Sequence, residues 1–114
     1  FDQIFDFSHD KKNNRVWIVT SQGLQYLDLT SGVIENFNND TLNGNVPFRL
    51  LIIDHDLYIG TSKNGVYKLD IISFEVSEFC NKDSGEFQIL NNWVSALHFY
   101  ADQLFIATEE GLVK

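Results

Sequence analysis

The sequence predicts an all-β protein, and three observations support this prediction. A stretch of aromatic and β-branched residues, Val16 to Asp28, occurs again as Leu57 to Asp70 and a third time, shortened, as Leu104 to Lys114. One threonine recurs in each copy at spacings of 41 and then 47 residues, at Thr20, Thr61 and Thr108. The chain is 44% hydrophobic and 14% aromatic, as a folded protein should be. A period in the forties built from short strands indicates a β-propeller fragment, with two full four-stranded blades and a partial third.

The repeated stretch is predicted to form a β-hairpin. In the first copy, Trp17–Thr20 is aromatic and β-branched and therefore favours a pleated strand. The Thr-x-x-Gly sequence then turns the chain, because Gly23 can adopt the positive φ that tight turns often need. The second copy has one more loop residue and ends in Asn64-Gly65, a strong hairpin signal. The aromatic residue near the start of each copy is predicted to be buried in its blade; it is Trp17, Tyr58 and Phe105.

The remaining strands follow in order along the repeats. Ile4–Phe7 is predicted to be a strand that ends at a polar turn from His9 to Arg15. A turn at Thr30–Gly32 precedes a fourth strand, Val33–Phe37, which has alternating character. Corresponding strands of the later repeats are predicted at Phe48–Ile53, Glu75–Phe79 and Val94–Tyr100. The resulting units are a first blade over residues 1–44, a second blade with a long linker over 45–92, and a partial third blade over 93–114.

The three copies resemble the two-component-regulator propeller repeat, whose core reads leucine-tryptophan-isoleucine-glycine-threonine, two residues, glycine-leucine, then tyrosine-aspartate. The matching residues are Trp17–Thr20 with Gly23, Leu24 and Tyr26, then Tyr58–Thr61 with Gly65, Val66 and Tyr67, then Phe105–Thr108 with Gly111 and Leu112. The resemblance implies a propeller in the extracytoplasmic sensor of a Bacteroidetes hybrid two-component receptor, with a periplasmic or extracytoplasmic location and a response to carbohydrates. It also implies a membrane helix and a histidine kinase elsewhere in the parent protein.

Charge and hydropathy exclude two classes of partner. Eight basic residues against sixteen acidic ones give a net charge of −8. Nucleic acids and anionic membrane surfaces both require a basic footprint, so neither is an expected partner. No apolar run approaches the roughly 18 residues of a membrane span, and we expect no direct membrane contact in this segment. The chain contains no methionine and begins in a predicted strand, so we expect it to be a piece of a longer protein.

No constellation of side chains in the sequence supports catalysis, and we predict a non-catalytic segment with no cofactor and no metal. His9, His55 and His98 fall on a turn, a turn and a strand of three repeats, without chelating spacing. The run from Asp54 to Asp56 contains two acids, which is fewer ligands than calcium requires. Cys80 has no neighbouring histidine that could activate it.

Residues that do not recur in the repeats are the candidates for ligand binding. Asn91, Asn92 and Trp93 lie at the end of the long linker, and Arg49 lies early in the second inner strand. In a propeller, the linkers between blades and the loops between second and third strands share one face around the central funnel. Aromatic and amide side chains at such a mouth suit a polar, ring-shaped ligand such as an oligosaccharide. The alternative is that Trp93 simply fills the gap between two blades.

Three functions from different classes remain open. The first is the carbohydrate sensor implied by the resemblance, and the second is a propeller used as a protein-interaction scaffold. The third, a propeller lyase or glycosidase, would need convergent carboxylates or a metal set, and the sequence contains neither pattern. Two and a part blades leave sheet edges and apolar faces uncovered. We therefore expect contact with the remaining blades of the parent protein, or self-association.

Overall fold

The computed structural model describes residues 3–38, 47–80, 93–108 and 111–113, and these ranges are all-β, as predicted. The described part contains no helix, and hence none long and apolar enough to cross a bilayer. Its strands are β1 (Ile4–Asp10), β2 (Arg15–Thr20), β3 (Gly23–Asp28), β4 (Ile34–Asn36), β5 (Pro47–Ile53), β6 (Asp56–Thr61), β7 (Val66–Asp70), β8 (Val76–Cys80), β9 (Val94–Tyr100), β10 (Gln103–Thr108) and β11 (Gly111–Val113).

The strands form three antiparallel sheets, each built from consecutive strands. Sheet 1 has the order β1-β2-β3-β4, sheet 2 the order β5-β6-β7-β8, and sheet 3 the order β9-β10-β11 over the described residues. This arrangement confirms the predicted fold class of two four-stranded units and a partial third. The boundaries predicted between the units fall at linkers that lie outside the described ranges, so they stay predictions.

Strand β1 is longer than predicted, and the placement of His9 on a turn was wrong. The strand continues through Ser8, His9 and Asp10, because β1 pairs with β2 as far as Asp10 opposite Arg15. The turn is confined to residues 11–14, and Asn14 closes it with a φ of 52°. A polar composition favours turns in general, but here the pairing partner decides the conformation.

The recurring threonine locks the turn after the second strand of each sheet. The hydroxyl of Thr61 donates a hydrogen bond to the carbonyl of Gly65 at 2.9 Å and accepts one from the Asn64 amide. The Thr108 hydroxyl donates in the same way to the Gly111 carbonyl at 3.0 Å. In the first two hairpins, a backbone N–H of the turn and the glycine carbonyl are thus both satisfied by the threonine hydroxyl. We call the end of the sheets that carries Thr20, Thr61 and Thr108 the threonine end.

Apolar side chains pack the sheets face to face in two clusters. Between sheets 1 and 2, the cluster consists of Trp17, Val19, Leu24, Leu50, Leu57, Ile59, Tyr67, Leu69 and Ile71. Between sheets 2 and 3, it consists of Val66, Phe79, Cys80, Val94 and Ile106, with Tyr58, Leu97 and Leu104 half-buried against it. The predicted burial of the three recurring aromatic residues is complete for only one of them. Trp17 is fully buried, whereas Tyr58 and Phe105 are half-buried.

A bulky residue occupies a left-handed turn position in sheet 2. The β3–β4 and β7–β8 turns are built alike, because Asp28 and Asp70 each accept two backbone N–H groups with Oδ1. The first turn places Gly32 at φ 76°, but the second places Phe74 at φ 66°. That conformation is costly for a large side chain. The Phe74 ring packs edge-on against Trp17 with centroids 5.6 Å apart, and this burial offsets the cost.

Gly60 allows sheets 2 and 3 to approach closely, and we expect Gly60→Ala to destabilise the fold by about 1–3 kcal/mol. A Cβ at this position would lie 2.6 Å from Cγ1 and 3.1 Å from Cβ of Val94, a branched residue on a strand. Denaturant unfolding followed by far-UV circular dichroism measures the loss.

The control for this substitution is a double-mutant cycle with Val94→Ala. If Val94 causes the clash, the two substitutions together should cost less than the sum of the single changes. Strict additivity, or a Gly60→Ala protein as stable as the parent, would contradict the close approach.

Candidate functional site

The inner strand of every sheet carries a β-bulge at the threonine end. Register shifts occur between Ile4 and Asp6 in β1 and between Pro47 and Arg49 in β5. In β9 the shift lies opposite Ala107 and Thr108, next to Ser95. A bulge re-aims the adjacent residues and frees their backbone groups from the ladder. The three bulges therefore create irregular backbone at one end of the three inner strands.

Arg49 connects these bulges across the three sheets. Its Nε donates a hydrogen bond to the Ser95 carbonyl of β9 at 2.9 Å, and its Nη1 donates to the Phe5 carbonyl of β1 at 3.4 Å. The Arg49 side chain is half-buried. A guanidinium offers several N–H donors in a fixed plane, which suits it to bridging separate carbonyls. Arg49 thus has a structural role beside the ligand-binding role predicted for it, and the latter stays a prediction.

Asp6 makes a second link between sheets 1 and 2 at the same end. Its Oδ2 accepts the backbone N–H of Leu50 in β5 at 2.9 Å, and its Oδ1 accepts the N–H of Phe7. A carboxylate that accepts backbone N–H groups forms strong, charge-assisted hydrogen bonds. The inner strands are therefore joined by Asp6 and Arg49 without a regular ladder between the sheets.

Trp93 lies at the threonine end, directly before the strand residue Val94 that pairs with Thr108. Trp93 is 43% exposed, so part of the residue reaches this surface. Arg49 reaches the carbonyl of Ser95, two residues further along, which places both candidates at the same end of β9. The other predicted ligand residues, Asn91 and Asn92, lie outside the described residues. The candidate site is therefore defined here by Trp93 and Arg49.

The opposite end of sheet 2 has a different character. It holds an acidic recess of about 250 Å³, lined by Asp56, Lys68, Asp70, Glu75, Val76 and Ser77. The pKa of Asp70 lies below its usual value, chiefly because its carboxylate accepts the N–H groups of Ile72 and Ser73. Within the described ranges, no group of three or more His, Cys, Asp or Glu side chains could hold a metal ion.

Solved structures share this arrangement of sheets. PorZ, an essential bacterial surface component of the type-IX secretion system of Porphyromonas gingivalis, matches with a TM-score of 0.78 at 16% identity over 96% of this chain. The extracellular domain of a putative hybrid two-component system from B. thetaiotaomicron matches with a TM-score of 0.74 at 21% identity, also over 96%. The fold is that of a β-propeller fragment, as predicted.

A third propeller neighbour is the extracellular domain of a putative one-component system from B. thetaiotaomicron, with a TM-score of 0.72 at 18% identity over 96% of the chain. The chain spans only 17%, 15% and 14% of the lengths of these three neighbours, in the order given. No protein-family model matches the sequence, and no curated protein does. The predicted resemblance to a propeller repeat is thus confirmed at the level of the fold.

The three sheets are consecutive blades of this propeller, and the sequence did not reveal how they are joined. The roles of Asp6 and Ser95 were missed, because a single short Asp or Ser within an otherwise apolar strand carries no signal of a contact 44 or 46 residues away. The aligned repeats did contain one indication of how the blades are joined. Asp6 and Arg49 hold equivalent positions next to the bulges, and they carry opposite charges.

Proposed function

We propose that this propeller segment belongs to the extracytoplasmic sensor of a bacterial two-component receptor, and that its threonine end takes part in binding an oligosaccharide. The observation that carries the proposal is the fold likeness to extracellular domains of one putative one-component system and one putative hybrid two-component system. The exposed indole of Trp93 beside the bulged inner strands supports a sugar as ligand. Aromatic faces pack against the apolar faces of sugar rings, while nearby polar groups fix orientation.

The segment contributes to sensing without a reaction of its own. Among the described residues, Asp6 beside the bulges is used structurally, because its carboxylate accepts two backbone N–H groups. Turnover of a polysaccharide by the purified chain, abolished by changing one of its acids, would contradict this part of the proposal.

A protein-interaction scaffold is the second candidate function. It is favoured by the structural likeness to PorZ, which is an essential surface component of a type-IX secretion system. A scaffold would bind a protein through a blade face or the mouth of the funnel and would not respond to glycans.

The test of the sensor proposal is the binding of oligosaccharides to the chain, screened on a glycan array and measured by titration calorimetry. We expect Trp93→Ala to weaken binding at least about tenfold, which corresponds to the loss of roughly 1.4 kcal/mol of aromatic contact. The matched control is Phe99→Ala. Phe99 is also partly exposed, at 40%, but it lies towards the far end of β9, away from Trp93.

Two results would count against the sensor. Equal losses of affinity for Trp93→Ala and Phe99→Ala would show that the oligosaccharide does not bind specifically at the threonine end. Absence of binding to every glycan, together with capture of a defined protein partner, would favour the scaffold.

A further inference from the structure

We propose that Arg49 is a positioning residue for Trp93: it fixes the indole at the threonine end through the backbone of β9, and it acts on ligand binding only through that indole. This proposal rests on the proposed function and adds to it the residue that holds the binding surface in place. It is carried by the contacts that blades 1, 2 and 3 make with one another beside their bulges.

The partners of Arg49 are the bulged residues of both neighbouring blades. Ser95 is the extra residue of the β9 bulge, because the pairing with β10 passes from Val94 directly to Ala96. Phe5 is likewise the extra residue of the bulge in β1. An extra residue lies outside the regular ladder, so its carbonyl is accessible to a side chain. Arg49 donates to both carbonyls, at 2.9 Å to Ser95 and at 3.4 Å to Phe5, and its guanidinium is therefore fixed from two sides.

The first two residues of β9 are held by three contacts. The Ser95 carbonyl accepts the hydrogen bond from Arg49, and the Ser95 hydroxyl donates to the Ala107 carbonyl at 3.2 Å. Val94 is fully buried, and its side chain lies against the backbone of Gly60 in blade 2, where a Cβ would come within 2.6 Å of Cγ1. Blade 2 therefore fixes the start of β9 through both Gly60 and Arg49.

Trp93 immediately precedes this fixed point, and only Val94 separates it from Ser95. A side chain that is mobile before binding must be ordered by the ligand, and the lost freedom weakens binding by about two- to tenfold. A backbone that is already held in place removes part of this cost. Arg49 thus raises the affinity of the Trp93 surface without contact with the ligand.

Arginine suits this role better than lysine. A planar guanidinium can donate to two separate carbonyls at once, whereas an ammonium group is a compact charge without this fork of donors. Methionine has a similar length but no donor. The series Arg49→Lys and Arg49→Met therefore removes the link in two steps.

The first test is ¹⁹F NMR of the protein labelled with 5-fluorotryptophan, without any ligand. The Trp93 resonance is assigned by its loss in Trp93→Phe. We expect Arg49→Met to shift or broaden this resonance, because the start of β9 loses its link to blade 2, and Arg49→Lys to change it less. The resonance of Trp17, which is fully buried between blades 1 and 2, should remain sharp and verifies that each variant is folded.

The matched control is Ile71→Val. Ile71 is 1% exposed and belongs to the core between blades 1 and 2, so the substitution loosens a blade interface and leaves the bonds to Ser95 in place. The Trp93 resonance of this variant should match that of the parent. An unchanged Trp93 resonance in Arg49→Met, or an equal change in Ile71→Val, would overturn the proposal.

The second test asks whether Arg49 acts through the indole. The probe is the oligosaccharide that the glycan array retains most strongly, and its affinity is measured by titration calorimetry. Arg49→Met should weaken binding by about two- to tenfold, but it should cause no further loss in a protein that already carries Trp93→Ala. Losses that add would show that Arg49 touches the oligosaccharide itself, and would overturn the positioning role.

The two proposals can fail separately. If no oligosaccharide binds but Arg49→Met still changes the Trp93 resonance and Ile71→Val does not, the sugar assignment is wrong and the positioning of Trp93 stands. If an oligosaccharide binds at Trp93 and the resonance is the same in Arg49→Met and the parent, the sensor proposal stands and the positioning role is wrong.

Discussion

Trp17→Ala is expected to lower the free energy of unfolding by about 3–5 kcal/mol, the usual loss when a large aromatic side chain is removed from a core. Trp17 is fully buried between blades 1 and 2. Its ring contacts Tyr26 at a centroid distance of 4.9 Å and Phe37 at 5.8 Å. The cavity left by alanine would therefore open the largest cluster of the fold. Urea unfolding followed by far-UV circular dichroism measures the change.

Trp17→Phe distinguishes the contribution of the aromatic ring to stability from that of the indole N–H group. The indole Nε1 is buried without a hydrogen-bond partner among the described residues, so phenylalanine removes an unsatisfied donor while it keeps most of the apolar contact. We expect this variant to lose less than half as much stability as Trp17→Ala. Ile72→Ala, at an exposed turn residue, serves as the control and should stay within about 0.5 kcal/mol of the parent. Equal losses for Trp17→Ala and Ile72→Ala would contradict the assigned core.

Arg15→Ala is expected to have a similarly large effect, about 3–5 kcal/mol, because it leaves the buried carboxylate of Asp10 without its cationic partner, with the hydrogen bonds from Asn13 still in place. The Arg15 Nε lies 3.2 Å from Oδ2 of Asp10, whose side chain is only 3% exposed. Its Nη2 donates to the Ile71 carbonyl of blade 2 at 2.6 Å. The guanidinium also lies 5.0 Å from the centroid of the Phe74 ring. One side chain thus joins the ion pair, the neighbouring blade and the aromatic cluster.

Arg15→Lys keeps the charge but loses the planar group that reaches both partners. We expect it to recover only part of the loss, and Lys11→Ala, an exposed residue of the adjacent turn, to be nearly neutral. Equilibrium unfolding of Arg15→Ala, Asp10→Ala and the double variant gives the coupling energy of the pair. A coupling energy near zero would show that the pair contributes nothing to stability.

The sequence predicted the strands well where the repeat itself carried the information. The strand Val94–Tyr100 was predicted with its exact bounds, and the hairpin from Arg15 to Asp28 within one residue, because aromatic and β-branched runs and turn glycines act locally. Strand β1 was predicted too short, since Ser8, His9 and Asp10 are ordered by their pairing with β2 and not by their own propensity.

The candidate site was harder to predict from the sequence than the strands were. Arg49 was selected because it does not recur, but its bonds to Phe5 and Ser95 depend on three sheets meeting at one end. Phe74 was not selected at all, because nothing local predicts a phenylalanine at a position where the first repeat has Gly32. The hydrogen bonds between blades join residues 44 to 56 positions apart. The repeat indicates that such contacts exist, but it does not say which side chains make them.

The threonine turns have a consequence for how this surface can diversify. The same hydroxyl-to-carbonyl bond closes a loop of two residues between Thr20 and Gly23 and a loop of three between Thr61 and Gly65. In both cases the strands below keep their pairing without a shift at the second strand. A difference in loop length between the threonine and the glycine therefore does not change the pairing of the two strands. We therefore expect insertions between this threonine and its glycine to leave the sheet intact, so that the end that bears Trp93 can vary in loop sequence and length.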